Sequence, residues 1–397
     1  MDHHSGRVAP EPEVLTRAAA AALSPVLGTV EVTVGERLDS SDRAVVMRAI
    51  ARDAHQRDHP VVLKAPLGSA GGSGVREEAA LRLLAGHRVR HVVRLLGAAV
   101  DPPLLVLADL GNRPTLADRL LGDDPVAAEA AVLTWAGAVG TVQSSTTGLR
   151  AALAAEFAAL SPLGPLVIDT SAEAVSEAAA VLARFLPQLG ITPHRAALDE
   201  LRGIAEDLDV AAPGAPGGIV PGDTCPSNAV ETGDGLVLLD FEGAEFRHVA
   251  WEAAYLCVPW PSCWCSWRLP EELAARALAR WREVVAATLP VVATSRFDDD
   301  LVRAATAWVF ISVGWFLGPA LDGDPPPPDP ARRSLVPARR ALLQHRLQWV
   351  ATQQTPLLPA LRDLAAHLHQ AAVRRWGEHP LPLAAAFDWR SETTRGT

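Results

Sequence analysis

Apolar and polar positions alternate in short bursts near the start of the chain. Val30 to Val34 intersperses Val with Glu and Thr, Ala44 to Ala49 holds Val45 and Val46 in an apolar run, and Pro60 to Ala65 reads Pro-Val-Val-Leu-Lys-Ala. A period of two over such lengths predicts strands, and the polar turn from Leu38 to Arg43 makes the first two an antiparallel pair. The Gly- and Ser-rich stretch from Gly68 to Gly74 suits no regular element, and the helix formers from Val75 to Leu84 then predict a helix. Two more apolar runs, His91 to Leu96 and Leu104 to Leu107, complete an expected five-stranded antiparallel sheet with one helix. An Ala-rich helix after a polar lead occupies the residues before this sheet. Beyond Thr115, Ala- and Leu-rich helical segments follow one another between Pro and Gly breaks, interrupted by strand-like runs around Ile219-Val220 and Leu236 to Leu239.

With 397 residues the chain exceeds one compact core of ordinary size, so two or three packed lobes are expected, with a cleft between them as the first place to look for a site. Hydrophobic residues at 49% and charged residues at 21% suit a globular protein. The net charge of -10 and the lack of a basic run interleaved with aromatics exclude a nucleic-acid footprint. Residues 1 to 6 carry no apolar signal core, which makes the cytoplasm the expected location. The uncharged stretch from Ala304 to Leu321, broken by Gly314, Gly318 and Pro319, is read as a buried helix and not a membrane span. Cysteines stand at 225, 257, 263 and 265, and the expectation is reduced, buried thiols; a metal site built on Cys263 and Cys265 with Cys257 lacks a completing motif.

The chemistry concentrates in Pro221-Gly222-Asp223-Thr224-Cys225-Pro226-Ser227-Asn228 and, after a Gly-rich turn, in Leu236-Val237-Leu238-Leu239-Asp240-Phe241-Glu242. Phosphoryl transfer needs a carboxylate beside the attacking hydroxyl and oxygen ligands that hold magnesium on the phosphates. Asp223 and Asn228 stand five positions apart, the interval of a kinase catalytic loop, and Asp240 follows twelve later. Alone, these residues would equally serve turns beside Gly and Pro. Upstream, Lys64 closes a strand and Glu77 stands on the next helix, with Glu78 as its neighbour and alternative. A Lys in that place neutralises phosphate oxygens, and a helix Glu fixes its direction through an ion pair.

In this order the elements resemble the aminoglycoside phosphotransferase and choline-kinase-like family over roughly residues 30 to 350. The family's Asp-x-Glu appears as Asp240-Phe241-Glu242. The resemblance implies an α+β, bilobal protein-kinase-like fold: an extension over 1–29, a nucleotide-binding N-lobe with hinge over 30–111, a mainly helical C-lobe over 112–388 and a tail over 389–397. It implies Asp223 as catalytic base, Asn228 and Asp240 as magnesium ligands, ATP as the nucleotide, and a small-molecule hydroxyl compound as acceptor. Asp109 and Leu110 would belong to the hinge that meets adenine through its backbone, and Ser40 and Ser41 would cover the phosphates. Pro221 replaces the His usual before Gly-Asp, so the loop is braced by a fixed φ and lacks a side-chain hydrogen bond.

Trp251-Glu252-Ala253-Ala254-Tyr255-Leu256 resembles the helix after the metal loop. The segment from Trp260 to Trp267 holds three Trp and is either a substrate wall or core packing. Asp298-Asp299-Asp300 would favour a cationic acceptor, or it opens a helix. A peptide or protein Ser/Thr kinase is the second reading, and a nucleotide-binding or scaffolding pseudokinase, suggested by Pro221, is the third.

Overall fold

A computed structural model of the protein describes residues 10–40, 43–67, 73–161, 166–192, 194–327, 333 and 335–388. Helix α1, Pro12–Leu27, leads into strands β1, Val30–Ser40, β2, Ala44–Asp53, and β3, Asp58–Pro66. Helix α2, Ser73–Gly86, precedes β4, Leu95–Val100, and β5, Pro103–Ala108. The sheet order is β1-β2-β3-β5-β4 with every neighbouring pair antiparallel.

The period of two assigns the faces of this sheet. Val61, Leu63 and Ala65 of β3 join Val45, Ala49, Leu104 and Val106 on one face, in a core shared with Leu15, Ala19 and Leu23 of α1. Val62 and Lys64, of opposite parity, therefore turn to the other face, where α2 and the rest of the protein lie. The lobe thus has two helices where the sequence pattern suggested one, and α1 is built into its core. Packing is close: a Cβ at Gly97 would stand 2.4 Å from the Ala22 carbonyl oxygen. The run from His91 to Leu96 also divides differently from expectation. Residues 91–93 pair with the second lobe, through Val93 N–H to the Leu238 carbonyl and Leu238 N–H to the His91 carbonyl, and only from Leu95 does the chain join the sheet. A short apolar run satisfies either partner equally, so its pattern could not assign one.

The second lobe is mainly helical: α3, Leu116–Leu121, α4, Pro125–Ser145, α5, Arg150–Leu160, α6, Ser171–Phe185, and α7, Arg195–Asp207, precede four short strands. Strand β6, Gly217–Val220, pairs antiparallel with β9, Glu245–His248; between them β7, Ala229–Thr232, and β8, Gly235–Leu238, form a hairpin. Then come α8, Ala250–Ala253, α9, Glu271–Ala286, α10, Ser295–Leu321, α11, Arg339–Ala351, and α12, Pro359–Trp376. Helices α4 and α10 are long and apolar enough to cross a membrane, but 72% of the apolar window of α10 is buried inside the fold, so its hydrophobicity is spent on packing. Trp135, Trp251, Trp260 and Trp281 are fully buried in this core.

If α1 is integral to the first lobe, Leu23→Ala should destabilise the protein by about 2–5 kcal/mol, as core truncations do. Urea unfolding monitors this; a change below about 0.5 kcal/mol, typical of a surface substitution, would make α1 an appendage.

Candidate active site

The parity that turns Lys64 away from the α1 core delivers its ammonium to the space between the lobes. It lies 2.6 Å from Glu77 Oε2, 2.5 Å from Asp240 Oδ1 and 3.5 Å from Glu242 Oε2. Lys64 is only 8% exposed, so water supplies little of its solvation. Burial alone would lower its pKa, but Glu77 and Asp240 outweigh burial and hold it above the ordinary lysine value. Glu77 is buried and also accepts from Phe241 N–H at 3.3 Å, whereas adjacent Glu78 pairs with Arg82 one turn along at 2.5 Å. Helix α2 is fixed against the second lobe by Arg76, which donates to the carbonyls of Ala244 at 3.1 Å and Val167 at 2.7 Å.

Strand β6 ends at Val220 and releases the loop that carries Asp223 and Asn228. Gly222 has φ 92°, and a Cβ there would meet the Gly243 carbonyl oxygen at 2.1 Å, so both backbone geometry and space demand glycine. The loop closes in a single turn, Pro226–Asn228, with Asn228 N–H bonded to the Cys225 carbonyl at 2.8 Å. The Asn228 side-chain NH2 donates to the Asp223 carbonyl at 3.1 Å, which leaves its amide oxygen for a ligand. Asp240 follows β8 in the left-handed region at φ 61°, a conformation that turns the chain abruptly between strand and Phe241.

Asp223 is half-buried, and its partial removal from water raises its carboxyl pKa above the ordinary value; nearby Asp240 pushes the same way, while a hydrogen bond from Ser262 opposes them. Ser262 Oγ donates to Asp223 Oδ1 at 2.7 Å and lies 2.7 Å from the Tyr255 hydroxyl. The side-chain hydrogen bond that Pro221 cannot supply to this loop therefore arrives from elsewhere in the chain.

Between the lobes opens a cavity of about 440 Å³, lined by Val46, Val62, Lys64, Leu107, Leu110, Asn228, Leu239 and Asp240 among others. Apolar side chains such as Val46, Val62, Leu107 and Leu239 line it together with the charged Arg48, Lys64 and Asp240. Asp109 is engaged in holding its own segment: its N–H bonds to the Pro60 carbonyl at 3.4 Å, its carboxylate accepts from Gly111 N–H at 2.8 Å, and Arg48 approaches it at 3.3 Å. Leu110 and Gly111 line the cavity beside it. Ser40 is the last residue of β1, opposite Val45, and Ser41 lies outside the described residues. Arg43, just beyond, pairs with Glu242 at 2.8 Å.

Trp260 packs edge-on against Trp135 at 5.8 Å, inside the core, and Trp267 donates to the Leu335 carbonyl at 2.9 Å. Glu252 is buried and bonded to Arg247. The acidic triplet sits in the first turns of α10, where Asp298 pairs with Arg282 and Asp300 lies 3.6 Å from Arg303. Two of its three charges thus lie beside neighbouring arginines. The cysteine expectation is corrected: Cys225 and Cys263 form a disulfide across a separation of 38 residues, with Cα atoms 5.2 Å apart. Folding brings together two loops that the sequence holds far apart. Cys257 stands outside this group.

No family model and no curated protein matches the chain. Solved structures do. A choline kinase from Cryptosporidium parvum Iowa II superposes with a TM-score of 0.51 at 11% identity, over 84% of this chain and 93% of that one. The protein has the choline-kinase-like bilobal fold. A choline/ethanolamine kinase family protein from Mesorhizobium loti gives 0.49 at 15% identity over 90% and 99% of the two chains, and a macrolide 2'-phosphotransferase from Brachybacterium faecium gives 0.47 at 16% over 84% and 98%.

Ser262 and Tyr255 at Asp223, and Arg43 at Glu242, escaped the sequence reading. Only Glu242 carried a signal, as the last member of Asp-x-Glu. Lys64→Ala should destabilise the protein by about 3–5 kcal/mol at neutral pH, because Glu77 is left buried without its cation. Losing Lys64 raises the pKa of Glu77 further, so the deficit should shrink as pH falls and Glu77 becomes protonated. Adding Glu77→Gln should restore part of the loss; equal or greater destabilisation of the double variant in urea unfolding would contradict the pairing.

Proposed function

We propose that the protein is an ATP-dependent phosphotransferase that moves the γ-phosphate to the hydroxyl of a small molecule, with Asp223 as the general base. The observation that supports this best is the convergence of Lys64, Asn228 and Asp240 on one interlobe cavity, with Asp223 tied directly to Asn228. Its volume of about 440 Å³ suits a small ligand, and a lining that mixes apolar side chains with Lys64, Asn228 and Asp240 suits a base joined to phosphates.

The donors offered by Asn228 and Asp240 are oxygens, which fit a hard cation such as magnesium. When bound, magnesium would neutralise charge on the phosphates. Lys64 is the fixed cation for phosphate oxygens, oriented by Glu77. The adenine edge would meet the backbone of Leu110, since the N–H of Asp109 and both the N–H and the carbonyl of Gly111 already have partners. Ser262 keeps one oxygen of Asp223 engaged and so directs the other toward an acceptor proton. A half-buried base with a raised pKa accepts that proton more readily than a fully exposed carboxylate.

This reading puts the protein in the cytoplasm, where ATP is supplied, and takes a small hydroxyl compound as the acceptor. The first experiment is a thermal-shift titration with ATP, GTP and ADP, each with and without magnesium. A magnesium-dependent rise in Tm is expected for the native protein and should vanish in Asp240→Ala. Asp223→Asn should keep the rise but lose about two to four orders of magnitude in turnover, measured with an acceptor panel of amino sugars and small alcohols. Absence of any shift, or full turnover in Asp223→Asn, would refute the reading.

The pH profile supplies an independent check. Turnover needs ionised Asp223, so activity should fall as pH drops through its raised pKa. Ser262→Ala removes a hydrogen bond that favours the ionised form, and the acidic limb should therefore move about one to two pH units higher. An unmoved limb would show that Ser262 does not govern this carboxylate.

A further inference from the structure

The Cys225–Cys263 bond belongs to a larger sulfur cluster. Cys225 stands on the loop that carries Asp223 and Asn228, and Cys263 follows Ser262 on the loop that hydrogen-bonds to Asp223. The Cys265 sulfur lies 2.9 Å from that of Cys263, all three sulfurs fall within 4.8 Å of one another, and all three residues are buried. A disulfide uses two sulfurs; the third thiol, held against the pair in the interior, adds nothing to that crosslink. Three thiolates around a tetrahedral zinc ion, at metal–sulfur distances of about 2.3 Å, would stand about 3.8 Å apart, which matches a cluster of this spread.

We propose that, when the Cys225–Cys263 bond is reduced, Cys225, Cys263 and Cys265 bind one thiophilic divalent cation of the zinc type, which then takes over the tie between the two loops. The reduction is balanced by a dithiol: two electrons and two protons pass to the cysteine pair, giving two thiols, and the reagent leaves as its own disulfide. Binding then displaces one proton from each of the three thiols and leaves a site of charge 2 − 3 = −1, counted on the three sulfurs of the cluster. Ser227 Oγ, 3.2 Å from the Cys225 sulfur, is the neighbouring oxygen donor for the fourth position. A compensating charge is already present on this part of the fold. Arg346 is buried, has no carboxylate partner among the described residues, and donates to the carbonyls of Pro259 and Pro261 at 3.4 Å each, on the same loop as Cys263 and Cys265. A set dominated by three sulfurs selects a soft or borderline ion and discriminates against magnesium, so this site and the oxygen site at Asn228 and Asp240 would not compete for one metal.

The test uses the full chain, reduced with a phosphine that does not itself sequester zinc, stripped of metal and titrated anaerobically with Co²⁺ and then Zn²⁺. One equivalent should bind, with an intense near-ultraviolet thiolate-to-cobalt charge-transfer band that zinc abolishes. Cys265→Ser retains both partners of the disulfide but should lose the band and weaken zinc binding at least tenfold. Cys257→Ser, which alters the thiol outside the cluster, should bind like the native protein. Failure of the reduced native protein to bind zinc or cobalt through sulfur overturns the proposal without reliance on any variant, and so does a Cys265→Ser protein that binds with native affinity. Metal content and spectrum are read without phosphoryl transfer, so either result leaves the reading of the interlobe site to its own experiments.

Discussion

The Lys64 ammonium sits among three carboxylates, and much of the arrangement follows from the need to keep that cation solvated once it is buried. Glu77 reaches it from a helix of the first lobe, Asp240 and Glu242 from a loop of the second. A buried ammonium with a single carboxylate would leave donors unmet; here the remaining donors find partners across the cleft, so the electrostatics of one side chain join two lobes. Arg43 closes the cluster by pairing with the far oxygen of Glu242. Helix α2 is held at both Arg76 and Glu77, which prevents it from swinging away with the carboxylate that orients the lysine.

The second lobe contributes rigidity in another form. Short strands β6, β7, β8 and β9 frame two loops, and residues between them are brought to one place by hairpin geometry more than by long-range packing. That is why spacing alone could suggest that Asp223, Asn228 and Asp240 lie near one another: each is fixed by a turn that begins and ends within about a dozen residues. Lys64 was visible for a related reason, since strand parity decides which face a residue takes.

What spacing did not disclose depends on contacts between distant segments. Ser262 meets Asp223 across 39 positions, and Cys225 meets Cys263 across 38, in both cases because the loop after α8 folds back over the loop after β6. Nothing in the local pattern of either segment records that return. The same limit explains α1, whose Ala-rich pattern declares a helix but not the sheet face it covers, and residues 91–93, whose apolar character fits two different strand partners. Asp109 is a subtler case: the end of β5 was legible from its apolar run and breaking glycine, yet the engagement of the aspartate side chain by Arg48 and by the turn itself was not.

Gly222 and Gly243 press their backbones together closely enough that neither loop can be displaced without the other. The two segments are consequently one mechanical part made from two stretches of sequence. Grafting the loop after β6 alone into another scaffold would import half of a fitted surface, and random variation in either stretch is filtered by the shape of its counterpart.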